Sequence, residues 1–203
     1  MFRLERKLKK SGIKGVIGLD EAGRGALAGP LTVAAVTISD PFSFRYRFTG
    51  IRDSKKLSEK KREEICRKLI RCPDLKWEVR FVLWTTVDRL NILEATKLAM
   101  RRSVEGIGLK IGFKPEYLLI DGNFKIQSGA EELPVIRGDE TIFSCMAAGI
   151  IAKVFRDRAM RRYSLEYPRY EFSQNKGYGT LLHKEAIRKY GYCAIHRRTF
   201  KFL

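Results

Sequence analysis

Two spacings of apolar residues run through this chain: short apolar blocks of strand length, and longer stretches with an apolar residue every three or four positions. GVIGLD (15–20) and LTVAAVTIS (31–39) are blocks of the first kind, bounded by glycine and proline, and predict two adjacent strands. The glycine-rich AGRGALAGP between them is turn chemistry. Ser58 is placed to cap a helix whose apolar stripe is Ile65, Leu69 and Ile70. KWEVRFVLW (76–84) predicts another strand, followed by a helix over 87–104. YLLID (117–121) reads as a buried strand that ends in an acid, and PVIR (134–137) as a strand that leads into a long helix at 139–162. In that helix Phe143, Ala147, Ile150 and Val154 form a core face, while Ala147, Ala148, Gly149 and Ala152 keep it slim enough to lie close to a sheet. A last helix is predicted at 181–190.

Strands alternating with helices indicate an α/β fold around a central sheet. The 203 residues suffice for one domain with a sizeable core, and no repeat, low-complexity run or linker divides them. The basic, aromatic stretch from about residue 167 to 203 reads as a small helical C-terminal extension of that domain.

Charge narrows the class of partner. Forty-one Lys and Arg against 23 Asp and Glu give a net charge of +18, which favours polyanions, nucleic acid first among them. Charge alone does not separate a nuclease from a passive RNA-binding protein. The first residues carry no apolar run of signal-peptide length, and the longest apolar runs are too short to cross a bilayer. A cytoplasmic protein with no membrane partner is expected. Cys66, Cys72, Cys145 and Cys193 are spread out, and read as reduced thiols without a zinc site or a disulfide framework.

Acids at strand ends in so basic a chain call for a reason. Asp20 and Glu21 close the first strand, Asp121 closes a central one, and Asp139 stands where a strand hands over to a helix. Sites of open α/β sheets gather at strand ends. Carboxylates converging there repel one another unless a hard divalent cation lies between them, and Mg2+, with its oxygen ligands, suits the site. Taken singly, each acid has an ordinary alternative as a helix cap, a turn residue or a surface charge. Asp157 is assigned to a structural pairing, with a neighbouring Arg, because on one helix it would lie far from Asp139. In the loop DSKK (53–56), Asp53 suits a turn and Lys55 or Lys56 a phosphate contact.

The segment GLDEAGRGALAGPLTVAAV (18–36) closely resembles the opening signature of the type 2 ribonucleases H, bacterial ribonuclease HII in particular. The resemblance continues in order through DSKKLS (53–58), NILEAT (91–96), LLIDGN (118–123), the Gly138–Asp139 pair, AAGIIAKVFRDR (147–158), NKGYGT (175–180) and HRRTF (196–200). It implies a ribonuclease H-like fold: a mixed five-stranded sheet flanked by helices, with a C-terminal part that helps to hold a duplex. It implies that Asp20, Glu21, Asp121 and Asp139 are the catalytic, metal-binding carboxylates, with two Mg2+ or Mn2+ ions when substrate is bound. Gly23, Arg24 and Gly25 would meet the ribonucleotide's 2′-hydroxyl and adjacent phosphate, and Tyr178 would sense the RNA-to-DNA junction. The 2′-hydroxyl is what distinguishes RNA from DNA, and bare backbone approaches it most closely at glycine. Read without the resemblance, those glycines are equally turn formers and Tyr178 a packing residue.

The expected activity is hydrolysis of the RNA strand of RNA–DNA hybrids, and cutting at single ribonucleotides in duplex DNA, by a monomer with no obligatory protein partner. Departures from the family pattern lie beside the fourth carboxylate: Gly149 where Ser is usual, with Glu140, Thr141, Cys145 and Met146 nearby. They bear on how the metal site is tuned. A passive RNA binder gains nothing from four acids in its groove, and an integrase or resolvase has no use for a 2′-hydroxyl sensor.

Overall fold

The computed structural model describes residues 2–42, 51 and 57–201. Lys55, with Asp53 and Lys56, lies outside the described residues. Five strands make one sheet: β1 (Val16–Ala22), β2 (Leu31–Ile38), β3 (Leu75–Val82), β4 (Tyr117–Asp121) and β5 (Glu131–Val135). Their order is β3-β2-β1-β4-β5, antiparallel from β3 to β1 and parallel from β1 to β5. The mixed five-stranded sheet is the one the family resemblance implies.

Two long helices cover the two faces. Ala34 and Val36 of β2 pack with Phe143, Ala147, Ala148 and Ile151 of α6 (Phe143–Glu166). Val33 and Ala35, between and beside them, pack with Ala95, Ala99, Met100 and Ile107 of α4 (Ile92–Ile111) on the opposite face. A strand covered on both sides has no polar face, which is why LTVAAVTI is apolar almost throughout. The approach of α6 is close. A Cβ at Gly18 would stand 2.4 Å from the backbone of Ser144, so only glycine fits at that point of β1.

The remaining helices are α1 (Arg3–Lys10), α2 (Glu59–Ile70), α3 (Trp84–Leu90), α5 (Gly138–Thr141), α7 (Phe172–Asn175) and α8 (Leu181–Tyr190). Ser58 caps α2 as expected, accepting from Lys61 N–H. The helix α1 is one the hydrophobic pattern did not predict. Its buried Glu5 accepts hydrogen bonds from the backbone N–H and the hydroxyl of Ser144, at 3.0 and 3.1 Å. That carboxylate does for α6 what the preceding Ile142, which has no capping side chain, cannot.

Both predicted long helices are broken. The helix expected over 87–104 is two, split at Asn91, whose φ of 68° ends α3 and whose side chain accepts from Leu93 and Glu94 N–H to start α4. The helix expected over 139–162 is also two, because Ile142 is extended (φ −115°, ψ 122°) between α5 and α6. Asp139 and Asp157 therefore do not share a helix. Asp157 does form a structural pair, with Lys153 at 2.8 Å in place of the expected Arg. The strand expected at 134–137 is β5, shifted toward the N-terminus. Its two leading glutamates hid it, and Glu132 is spent on the backbone N–H groups of Ile126, Gln127 and Ser128. β3 ends at Val82, and Trp84 opens α3, edge-on to Tyr163.

After α6 the chain makes a 3-10 turn at Pro168–Tyr170 and then forms α7 and α8. Tyr170, Phe172, Ile187 and Ile195 pack with Met160 of α6 and with Leu27 and Ala28 of the loop after β1. This C-terminal part is thereby fixed to the loop that carries Gly23, Arg24 and Gly25.

Candidate active site

The sheet's alternation decides which acids meet. Asp20 is on the α6 face of β1, two residues beyond Gly18. Leu119 of β4 packs with Ile142 and Cys145, so Asp121, two residues on, ends its strand on the same face. Asp139 arrives from α5, delivered by a left-handed Arg137 (φ 59°) and by Gly138, whose N–H donates to Asp121 Oδ1 at 2.7 Å. One carboxylate oxygen from each of Asp20, Asp121 and Asp139 lies within 4.8 Å of the other two. Glu21, one residue after Asp20, stands outside that triplet but lines the same cleft as Asp20 and Asp139. Its Oε1 accepts from Arg24 Nη1 at 3.3 Å, and its buried Oε2 has no hydrogen-bond partner among the described residues.

Burial at this strand end shifts Asp20, Glu21 and Asp121 upward. Burial first, then the charges of Glu21 and Asp121, hold the Asp20 carboxyl well above the usual carboxylate range. Burial pushes Glu21 up to about 7, against the pull of the Arg24 guanidinium. Burial and Asp139 raise Asp121 as well. A buried, acid-only oxygen cluster with an unpartnered carboxylate oxygen beside it fits a hard divalent cation such as Mg2+ or Mn2+. Asp20, Asp121 and Asp139 would hold it, with Glu21 at its edge.

A pH dependence follows. Glu21 keeps in the folded chain a proton that the unfolded chain releases near 4.5. Its contribution to stability is complete below that value and is lost as pH rises through about 7. Asp20 and Asp121 act in the same sense. Metal binding needs the ionised acids, so Mg2+ or Mn2+ should raise the melting temperature at pH 8 and scarcely at pH 5. Scanning calorimetry with and without metal checks this, and an equal shift at both pH values would contradict it.

Beside the acids opens a cleft of about 430 Å³, lined also by Gly23, Arg24, Gly25, Lys153, Arg62 and Tyr178. The loop after β1 and the NKGYGT loop are joined there: Ala26 bridges Tyr178, and the Leu27 N–H donates to Gly177 O at 2.8 Å. Gly23 (φ +92°) is pressed onto a buried arginine, and a Cβ there would stand 2.0 Å from Arg156 Nε. Gly25 is different. A Cβ on it would meet no described atom within 4 Å, so internal packing does not account for the bare backbone facing the cleft. Lys55 cannot be placed here, since it lies outside the described residues.

Several site-building residues had no role assigned from sequence. Arg156 is fully buried, donates to Pro30 O (2.9 Å) and Ala28 O (3.2 Å), and lies 5.0 Å from the Tyr178 ring centre. Arg197, also buried, donates to Arg24 O at 2.9 Å and to Gly29 O. Lys153 lies 5.4 Å over the same tyrosine ring. Two buried cations thus hold the backbone of the loop after β1, Arg197 at Arg24 and Gly29 and Arg156 at Ala28 and Pro30. The motifs VFRDR and HRRTF contain them, but among 41 basic residues nothing in the sequence distinguishes a buried arginine from a solvated one. The Gly149 departure has a geometric counterpart: a Cβ at that position would stand 2.2 Å from Asp20 Oδ2. The glycine lets the Asp20 carboxylate lean against α6.

A β3-β2-β1-β4-β5 mixed sheet with carboxylates gathered where β1 and β4 end, beneath a cationic cleft, defines a metal-dependent nuclease of the ribonuclease H-like class. The family model of ribonuclease HII matches residues 17–203. Ribonuclease HII of Treponema denticola is 43% identical over 194 residues, which span 90% of this chain and 96% of that protein. Ribonuclease H2 of Pyrococcus horikoshii superposes with a TM-score of 0.72 at 29% identity, covering 92% of this chain and 94% of that one. A chain in the structure of the PCNA:RNase HII complex from Archaeoglobus fulgidus gives a TM-score of 0.73 at 27% identity, covering 90% and 92%. The chain belongs to the ribonuclease HII family, and is a metal-dependent hydrolase of the endoribonuclease kind.

Proposed function

We propose that this enzyme hydrolyses the RNA strand of RNA–DNA hybrids and also cuts at single ribonucleotides embedded in duplex DNA, leaving 3′-hydroxyl and 5′-phosphate ends. The observation that carries the reading is one cleft holding both a chemical and a selective element. The carboxylates of Asp20, Asp121 and Asp139 lie within 4.8 Å of one another, beside the Gly23–Arg24–Gly25 loop and Tyr178. Two Mg2+ or Mn2+ ions held by Asp20, Glu21, Asp121 and Asp139 would supply the charge that activates water and stabilises the leaving 3′-oxygen.

The chain's own residues do the rest. The open backbone at Gly25 receives the 2′-hydroxyl, and Arg24, tethered to Glu21, meets the adjacent phosphate. Tyr178 stands against the following sugar, where a deoxyribose fits and an extra hydroxyl crowds the ring. The basic part from about 167 to 203, packed onto the same loop, holds the duplex, and Lys55 contacts its backbone. The net charge of +18 suits that task. No helix among the described residues is long and apolar enough to cross a membrane. On this proposal the enzyme is a monomer of the cytoplasm that acts in replication and repair of DNA. The PCNA complex is that of the Archaeoglobus fulgidus relative.

The direct test is an end-labelled continuous hybrid incubated with Mg2+ or Mn2+. Internal cuts confined to the RNA strand, with 3′-hydroxyl ends that a polymerase extends, are expected. Cyclic or 3′-phosphate ends would show that the 2′-hydroxyl attacks in place of water, and would overturn the reading.

A further inference from the structure

The chain contains only two histidines, and they touch. His183 and His196 are both buried, and their Nε2 atoms lie 3.1 Å apart. A short distance between two ring nitrogens requires one to donate and the other to accept, and the outer ends of the pair say which. The Cys193 backbone N–H donates to His196 Nδ1 at 3.0 Å, with the Cys193 thiol at the same distance from that nitrogen. His196 Nδ1 is therefore bare, and its proton is on Nε2. His183 Nε2 must then accept, which leaves the His183 proton on Nδ1, 2.9 Å from the carbonyl oxygen of Tyr178. Every ring nitrogen is engaged with a single polarity, and only if both rings are neutral. Burial lowers both histidines, His196 to about 4, in keeping with that state. The cage around them is aromatic: Tyr170 and Phe172 from one side and Tyr192 from another.

We propose that His183 and His196 form a hydrogen-bond relay of fixed direction that positions Tyr178, so that the pair acts on substrate selectivity without touching substrate. The chain begins at Cys193 N–H and ends on the one residue of the NKGYGT loop whose side chain lines the cleft. His196 is itself bridged to Ala28, three residues beyond Gly25, so the relay also ties the tyrosine to the loop that would read the 2′-hydroxyl. Other contacts hold the loop from the sides: Asn175 Oδ1 accepts from Gly177 N–H at 2.7 Å, and Thr180 N–H reaches the same Tyr178 carbonyl at 2.8 Å. Each of these spans only two residues of the loop, whereas the relay ties Tyr178 to His196 and Cys193. His183 and His196 are positioning residues, and this role rests on the reading of Tyr178 given above.

Two measurements on the full-length protein test it. In long-range ¹H–¹⁵N spectra, with two histidines to assign, the relay predicts opposite tautomers, Nδ1–H for His183 and Nε2–H for His196, unchanged from pH 8 to pH 6. Matching tautomers, or a charged ring in that range, would overturn the relay. In cleavage, His183→Ala should lose about fivefold to tenfold on a single embedded ribonucleotide and much less on a continuous hybrid. The double variant with Tyr178→Ala should be no worse than Tyr178→Ala alone, since the two act as one unit. His183→Asn, whose amide can still donate to the Tyr178 carbonyl, should recover most of the selectivity and remains informative if the alanine variant folds poorly. Equal losses on both substrates for His183→Ala, or losses that add to those of Tyr178→Ala, would overturn the positioning role. If Tyr178→Ala alone lost activity equally on both substrates, the sugar contact would fail and the selectivity role with it, while the tautomer spectrum would still decide whether the relay exists.

Discussion

Asp121→Asn is expected to lower cleavage at saturating Mg2+ by at least about a thousandfold, some 4 kcal/mol of transition-state stabilisation, while the protein stays folded. The substitution keeps the shape and the Oδ1 that accepts the Gly138 N–H at 2.7 Å, so the turn that delivers Asp139 is preserved. What is lost is a negative charge that burial and Asp139 already disfavour in the metal-free protein. Stability should therefore hold or rise, by about 2–4 °C in melting temperature for each kcal/mol of repulsion relieved. Activity and stability moving in opposite directions is the signature of a site whose acids are held together for a ligand. Full cleavage by the variant, or a fall in melting temperature that tracks the loss of activity, would remove Asp121 from that role.

Tyr178→Ala is expected to separate selectivity from chemistry. Aromatic contacts in nucleic-acid sites are worth roughly 1–3 kcal/mol, which corresponds to a loss of about tenfold to a hundredfold at a single embedded ribonucleotide. A continuous hybrid, in which the next sugar carries a 2′-hydroxyl and the ring already fits poorly, should suffer less. The acids are untouched, so the residual activity should keep its metal requirement. The ring leaves behind Arg156 and Lys153, which lie 5.0 and 5.4 Å from its centre. Their charge keeps the cleft attractive to phosphate, so binding should change less than turnover. Equal losses on the two substrates would make Tyr178 a packing residue.

How far the sequence carried depended on what kind of signal each feature leaves. β2 and β4 stand out because strands covered on both faces are apolar almost throughout, and the acids that end β1 and β4 stand out because they interrupt it. Helix breaks left weaker traces. Asn91 followed three residues later by Glu94 is a capping pattern, but the apolar period continues across it and suggested one helix. Nothing in Glu-Thr-Ile-Phe announces the extended Ile142. The expected start of β5 is late because Glu132 spends its carboxylate on a neighbouring loop, which periodicity cannot see.

The site divided in the same way. Asp20, Asp121 and Asp139 were found as acids out of place, and they converge. Glu21, which the family resemblance groups with them, lines the same cleft as Asp20 and Asp139 but stands outside the closest triplet, in contact with Arg24. Arg156, Arg197, His183 and His196 are buried side chains that shape the cleft from behind. Their roles come from partners distant in the chain, such as Arg197 on Arg24 O, and no local pattern encodes such a pairing.

A 5′-labelled DNA duplex with one ribonucleotide in one strand tests the central claim most directly, incubated with Mg2+, with Mn2+ and with chelator. The account predicts one cut, at the ribonucleotide, with either metal, none with chelator, and none in the matching all-DNA duplex. Cleavage that persists in chelator, or that proceeds equally well in the all-DNA duplex, would contradict it.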